Sequence, residues 1–197
     1  MRLYPDDYKQ WLQFLLCRVT HYMKIYGVKY ILSGGSLLGA VRTGARIPGD
    51  YDEDVDVLPG KANRKSFFEM VKFLQHSTGL GIAVTLDLPS IVKFSPCVPV
   101  DMVCTFDRPG IPNPTLDAFI LETTCKGDTR IVGGSFPKWT YKKGELLPLR
   151  TFYYEGMPLS GPHDPIPIFE RYYGDWKTPR FKKWPIVGQV GKQDSRT

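Results

Sequence analysis

The chain has 197 residues, of which 42% are hydrophobic and 23% charged. These proportions exclude disorder as the main state and give a length suited to one domain, expected over 1–197 with its motif-bearing core at about 25–180. The formal charge is +6, yet five of the 20 acids fall between Asp50 and Asp56; the other 15, set against 26 bases, leave the rest of the chain at +11. A basic body around one acidic knot suits a polyphosphate ligand bridged by metal ions. No basic and aromatic repeat specifies nucleic acid. No run approaches the ~20 apolar residues of a spanning helix, and Trp11 to Cys17, broken by Gln13, is no signal-peptide core.

In chain order, residues 6–26 predict an amphipathic helix, with Tyr8, Trp11, Leu12, Leu15, Val19, Tyr22 and Tyr26 on one stripe. Val28 to Leu32 predicts a short strand, followed by Ser33-Gly34-Gly35-Ser36 and a short helix from Ser36 to Arg42. Asp54 to Leu58 alternates acid and apolar residues, a strand pattern. Asn63 to His76 predicts a helix with Phe67, Met70, Val71 and Leu74 facing the core. Strands are expected at Ile82 to Leu88, Ile91 to Phe94 and Val98 to Phe106. Residues 107–150 carry no readable pattern. Arg150 to Tyr154 and Met157 to Leu159 flank a Glu155-Gly156 turn, and Asp164 to Tyr173 predicts a last helix capped by Asp164. Fourteen of the 17 prolines lie at or after Pro89, so the C-terminal half is expected to be loop-rich. The fold class is α+β (mixed α/β): a mixed sheet flanked by helices. Cys17, Cys97, Cys104 and Cys125 form no C-x-x-C pair and read as free structural cysteines.

Three elements carry chemistry. Gly34-Gly35-Ser36 lies between a strand and a helix, where glycines admit close backbone approach and the helix start offers N–H groups to a phosphate. No Gly-Lys-Ser/Thr follows, so it is not a Walker loop. Asp54 and Asp56 are two apart and share a strand face, and Asp52 joins them if the strand begins that early. Their mutual repulsion is relieved by a divalent ion with hard oxygen ligands, Mg²⁺ or Mn²⁺. Asp50 and Glu53 read as solvated loop residues. A calcium loop starting at Asp50 or Asp52 would need Gly at position 6 and Glu at position 12; the chain has Val55 and Lys61, or Val57 and Asn63. The third element is Asp101 in Pro99-Val100-Asp101-Met102-Val103, an acid in an apolar strand that needs a partner or a metal. Asp101 beside Asp54 and Asp56 would form a site for metal-assisted phosphoryl or nucleotidyl transfer.

Gly34-Gly35-Ser36-Leu37-Leu38-Gly39-Ala40-Val41-Arg42, Ile47-Pro48 and Asp52-Glu53-Asp54-Val55-Asp56 resemble the signature of the LicD/fukutin family. So do Val100-Asp101-Met102-Val103, Phe136-Pro137, Glu155-Gly156-Met157-Pro158 and the run from Tyr172 to Pro179, in the right order. Gly49-Asp50-Tyr51 stands where the family usually has one Trp. The resemblance implies a nucleotidyltransferase-like fold. It implies transfer of a phosphate-linked group, such as phosphocholine or ribitol phosphate, from a CDP-activated donor to a glycan or glycoconjugate hydroxyl. It also implies that Asp54, Asp56 and Asp101 are catalytic and hold Mg²⁺ or Mn²⁺ with Asp52. Gly34, Gly35, Ser36 and Arg42 would face the donor phosphates, with bracing of the acidic loop an equal alternative for Arg42. Tyr173, Gly174, Trp176 and Pro179 read as architectural, and the general base is not identified. Bacterial relatives would place the protein in the cytoplasm; animal relatives would place it in the Golgi lumen, with an anchor outside these residues. Two rival functions remain open: NMP transfer to a small molecule, protein or RNA, and binding of glycan or nucleotide without turnover.

Overall fold

The computed structural model describes residues 5–77, 79–88, 90–97, 113–134 and 136–178. The strand expected at Val98 to Phe106, and Asp101 with it, lies outside the described residues. Four helices are described: α1 (Pro5–Ile25), α2 (Gly34–Arg42), α3 (Lys61–His76) and α4 (Ile166–Tyr173). The strands are β1 (Tyr30–Leu32), β2 (Asp52–Val57), β3 (Ile82–Leu88), β4 (Ile91–Pro96), β5 (Thr115–Thr123), β6 (Thr129–Ile131), β7 (Thr140–Tyr141), β8 (Arg150–Tyr154) and β9 (Met157–Gly161). The expected mixed α+β class is what the chain adopts.

The main sheet runs β1-β2-β5-β4-β3, with β6 and β7 extending from the far end of β5. Among the described residues only the β2–β5 pair is parallel; β1–β2, β4–β5 and β3–β4 are antiparallel. Strand β2 is therefore an interior strand, paired along both edges. Val55 and Val57 on one face are fully buried, as are Leu116 and Ala118 on β5. Helices α1 and α3 touch each other and lie across these strands. Phe67, Met70, Val71 and Leu74 are the buried residues of α3, as its spacing predicts. In α1 the fully buried residues are Leu12, Leu15, Leu16, Val19 and Met23, while the expected aromatics Tyr8, Trp11, Tyr22 and Tyr26 flank them, partly exposed.

The hairpin β8–β9 is a separate two-stranded sheet that packs on α2 and β1. The segment without a readable pattern contains β5, β6 and β7, so a nine-residue central strand was hidden there. Helix α2 begins at Gly34 rather than at Ser36, so the glycine pair forms its first turn.

Candidate active site

Strand alternation sends Asp52, Asp54 and Asp56 to one face of β2 and Glu53, Val55 and Val57 to the other. The parallel register sets Asp54 directly against Asp117 of β5, and Asp56 against Phe119. Neighbouring strands lie about 4.8 Å apart, so Asp54 and Asp117 sit side by side. Both line a cleft of about 700 Å³ with Asp50, Asp52 and Asp56. Its walls include Arg42 and the aromatic residues Phe119, Phe136, Trp139, Tyr172, Tyr173 and Trp176.

The glycine pair makes room for carboxylates. The Gly35 N–H donates to Asp54 Oδ2 at 2.8 Å. A Cβ on Gly34, whose φ is +49°, would stand 2.1 Å from Asp54 Oδ2 and 2.9 Å from Asp54 Cβ. A Cβ on Gly35 would stand 2.3 Å from Asp50 Oδ2. The start of α2 thus draws two acids of the floor toward its positive end. Burial holds the Asp54 carboxyl well above the ordinary range; the charges of Asp52, Asp117 and Asp50 add to this, and the Gly35 bond opposes it.

Asp56 lies deeper and is fully buried. Its Oδ2 accepts from Trp139 Nε1–H at 3.0 Å and from the Tyr141 hydroxyl at 2.9 Å. Burial pushes its pKa up to about 6, with these two bonds and the nearby Ser33 hydroxyl opposing the shift. Its Oδ1 is buried without a hydrogen-bond partner. Asp117 Oδ1 is in the same condition, while its Oδ2 pairs with Lys93 Nζ at 3.2 Å. Burial raises the Asp117 pKa and Lys93 opposes the rise.

Two expectations need correction. Glu53 is not solvated: it is fully buried on the opposite face of β2. Arg46 Nε–H donates to Glu53 Oε1 at 2.6 Å, and the Ser36 hydroxyl donates to Oε2 at 2.6 Å. Burial still raises the Glu53 pKa, with Arg46 the main opposing influence. The Arg46 backbone N–H donates to Glu155 Oε1, tying the loop before β2 to the β8–β9 turn. Ser36 does not face the cleft either. Its hydroxyl is buried, donating to Glu53 and accepting from the Asp54 N–H at 2.9 Å. The cause is the early helix start: at about 100° per residue, Ser36 is turned well away from Gly34.

Arg42 does line the cleft, but it neither braces the acidic loop nor holds its head free. Its Nη2 donates to the carbonyl oxygens of Trp176 and Thr178, and its Nε is buried without a hydrogen-bond partner. Tyr173 also reaches the floor: burial raises its pKa, and Asp54 adds to the rise. Sequence reasoning missed Asp117, Trp139 and Tyr141. The signal for Asp117 was present in Leu116-Asp117-Ala118-Phe119-Ile120, an acid in an apolar, β-branched and aromatic run.

Among the described residues, no three His, Cys, Asp or Glu side chains close around an ion by themselves. The donor set nevertheless fits a hard divalent cation. Like charges converge on Asp54, and Asp56 and Asp117 each keep a buried, unpartnered oxygen at the cleft. Mg²⁺ is commonly held by one or two carboxylates together with substrate phosphates rather than by an all-protein cage.

Residues 27–85 match the family model described as LicD/FKTN/FKRP, nucleotidyltransferase domain. Similar curated proteins include the uncharacterized proteins RT0683 of Rickettsia typhi and RP689 of Rickettsia prowazekii, each 24% identical over 149 residues. That stretch is 76% of this chain but 41% and 48% of theirs, so the chain spans less than half the length of these relatives. Among solved structures, the antibiotic-resistance factor ANT(2″)-Ia is similar at a TM-score of 0.46 and 16% identity, over 76% of this chain and 64% of that one. The lincosamide antibiotic adenylyltransferase LnuA, lincomycin-bound, is similar at 0.44 and 14%, over 75% and 77%. The matched residues 27–85, which hold the glycine turn and the aspartate strand, are thus similar to the LicD/FKTN/FKRP nucleotidyltransferase domain.

Proposed function

We propose that the cleft is the active site of a Mg²⁺- or Mn²⁺-dependent transferase that moves a phosphate-linked group from a CDP-activated donor to a glycan hydroxyl. The observation that carries this reading is the pairing of Asp54 and Asp117 on parallel strands at the start of α2, facing the cleft. Asp54 and Asp117 would hold the cation, with the free Oδ1 of Asp56 and the neighbouring Asp52 completing the acidic floor. Asp101, outside the described residues, keeps the role that the family resemblance implies. A bound divalent ion would offset the charge of the donor phosphates and make the phosphorus a better electrophile.

The chain's own groups do the rest. Arg42, in the cleft wall, would supply positive charge opposite the donor phosphates. The aromatic wall takes a flat base or the apolar face of a sugar. The acceptor oxygen bonds to phosphorus, the bond from phosphorus to the CMP oxygen breaks, and the hydroxyl proton passes to a carboxylate of the floor. CMP leaves.

The test is a screen of CDP-choline, CDP-ribitol and CDP-glycerol with Mn²⁺ and a glycan acceptor. Release of CMP in the wild type, and its loss by several orders of magnitude in Asp54→Asn with the fold intact, is the expected result. Near-normal turnover in that variant would refute the metal role. A second reading, NMP transfer, is favoured by the description of the matched segment as a nucleotidyltransferase domain. It would show itself as pyrophosphate released from an NTP. Absence of any metal-dependent nucleotide binding would leave only a non-catalytic glycan-binding role.

A further inference from the structure

The face of the sheet that carries the acids continues beyond Asp117. The antiparallel register sets Lys93 of β4 directly against Asp117, so Asp54, Asp117 and Lys93 stand in one rank across three strands. Lys93 Nζ lies 3.2 Å from Asp117 Oδ2 and 3.2 Å from Asp87 Oδ2. The two acceptors differ in their surroundings. The Asp117 side chain is 10% exposed and lines the cleft, whereas Asp87 is 51% exposed and sits at the irregularity between Leu86 and Leu88. Lys93 does not line the cleft; it reaches Asp117 from the flank. One oxygen of Asp117 is thus engaged by a cation on a flexible stem, and the other is buried and unpartnered at the site.

Resting on the reading of the floor as a cation site, we propose that Lys93 is a positioning residue: a resident counter-cation for Asp117 that withdraws to Asp87 when a divalent ion is bound. A buried carboxylate beside a second one is costly without a positive charge. Lys93 supplies that charge from outside the cleft. Because Asp87 is already within reach, the ammonium can leave Asp117 by a small movement of its stem without losing an anionic partner. Lys93 therefore opposes the incoming ion electrostatically, and Asp87 lowers that opposition.

Lys93 and Asp87 then act on cation binding in opposite directions, which a purely structural ion pair would not do. The experiment is titration of the whole chain with Mn²⁺ alone, following free Mn²⁺ by electron paramagnetic resonance, with circular dichroism to confirm folding. Lys93→Met is expected to tighten Mn²⁺ binding about tenfold, by removal of one nearby positive charge. Asp87→Asn, at a half-exposed position, is expected to weaken it about threefold, because Lys93 then stays on Asp117. Unchanged or weaker binding in Lys93→Met, or unchanged or tighter binding in Asp87→Asn, overturns the proposal. Where wild type binds Mn²⁺ and Asp54→Asn does not, such a result leaves the cation site standing. No Mn²⁺ binding by either wild type or Lys93→Met removes the cation site and this role together.

Discussion

Replacing Asp56 by Asn separates the charge of the deepest carboxylate from its hydrogen bonds, because the amide oxygen can still accept from Trp139 and Tyr141. Burial raises the Asp56 pKa from its ordinary 3.8 to about 6. A shift of roughly two units corresponds to about 3 kcal/mol. The sign follows from proton uptake. Between pH 4 and pH 6 the folded chain holds this proton and the unfolded chain has released it, so folding loses stability as pH rises. The penalty is absent below about pH 4, where both states are protonated, and complete above about pH 6. Asn carries no such penalty. In urea denaturation with EDTA present, the stability of Asp56→Asn relative to wild type should therefore rise by about 3 kcal/mol from pH 4 to pH 7. Any constant cost of fitting the amide cancels in that comparison. Parallel stability curves across this range would refute the assignment of a buried, charge-disfavouring site to Asp56.

Arg46→Met should leave Glu53 buried without its cation and cost about 3–5 kcal/mol; thermal denaturation reads this, and adding Glu53→Gln should restore part of the loss. Gly34→Ala should destabilise the chain and abolish Mn²⁺ binding, since its Cβ would displace Asp54. Gly27→Ala is the control: Gly27 has φ +65° and open space for 4 Å around the position a Cβ would take, so it should cost about 1–2 kcal/mol of backbone strain and leave Mn²⁺ binding unchanged. Equal loss of binding in both glycine variants would show that the contact with Asp54 is not what selects glycine at position 34.

The parts legible in the sequence are those with strong periodicity. The spacing of Phe67, Met70, Val71 and Leu74 located the buried face of α3, and the Asp54 to Leu58 alternation located β2. The same alternation bears on Glu53. If Asp54 and Asp56 face the cleft, Glu53 must share the buried face of Val55 and Val57, where only a partner such as Arg46 makes it tolerable. Asp117 was obscured by its setting: β5 follows a proline-containing stretch and pairs in parallel with a strand some 60 residues earlier. Its juxtaposition with Asp54 is a matter of sheet order, which local pattern does not encode. Trp139 and Tyr141 belong to or adjoin a two-residue strand, too short to show any period, yet they fix Asp56. The helix start at Gly34 was two residues earlier than the sequence suggested, and this alone turned Ser36 from the cleft to Glu53.

Calorimetry of CDP binding, with Mn²⁺ or with EDTA, tests most directly whether Asp54 and Asp117 form one cation-dependent phosphate site. Wild type should bind CDP only when Mn²⁺ is present. Asp54→Asn and Asp117→Asn, each shown to be folded, should each weaken that binding by at least about tenfold, or about 1.4 kcal/mol. Binding of equal strength in EDTA, or in both variants, would contradict the account.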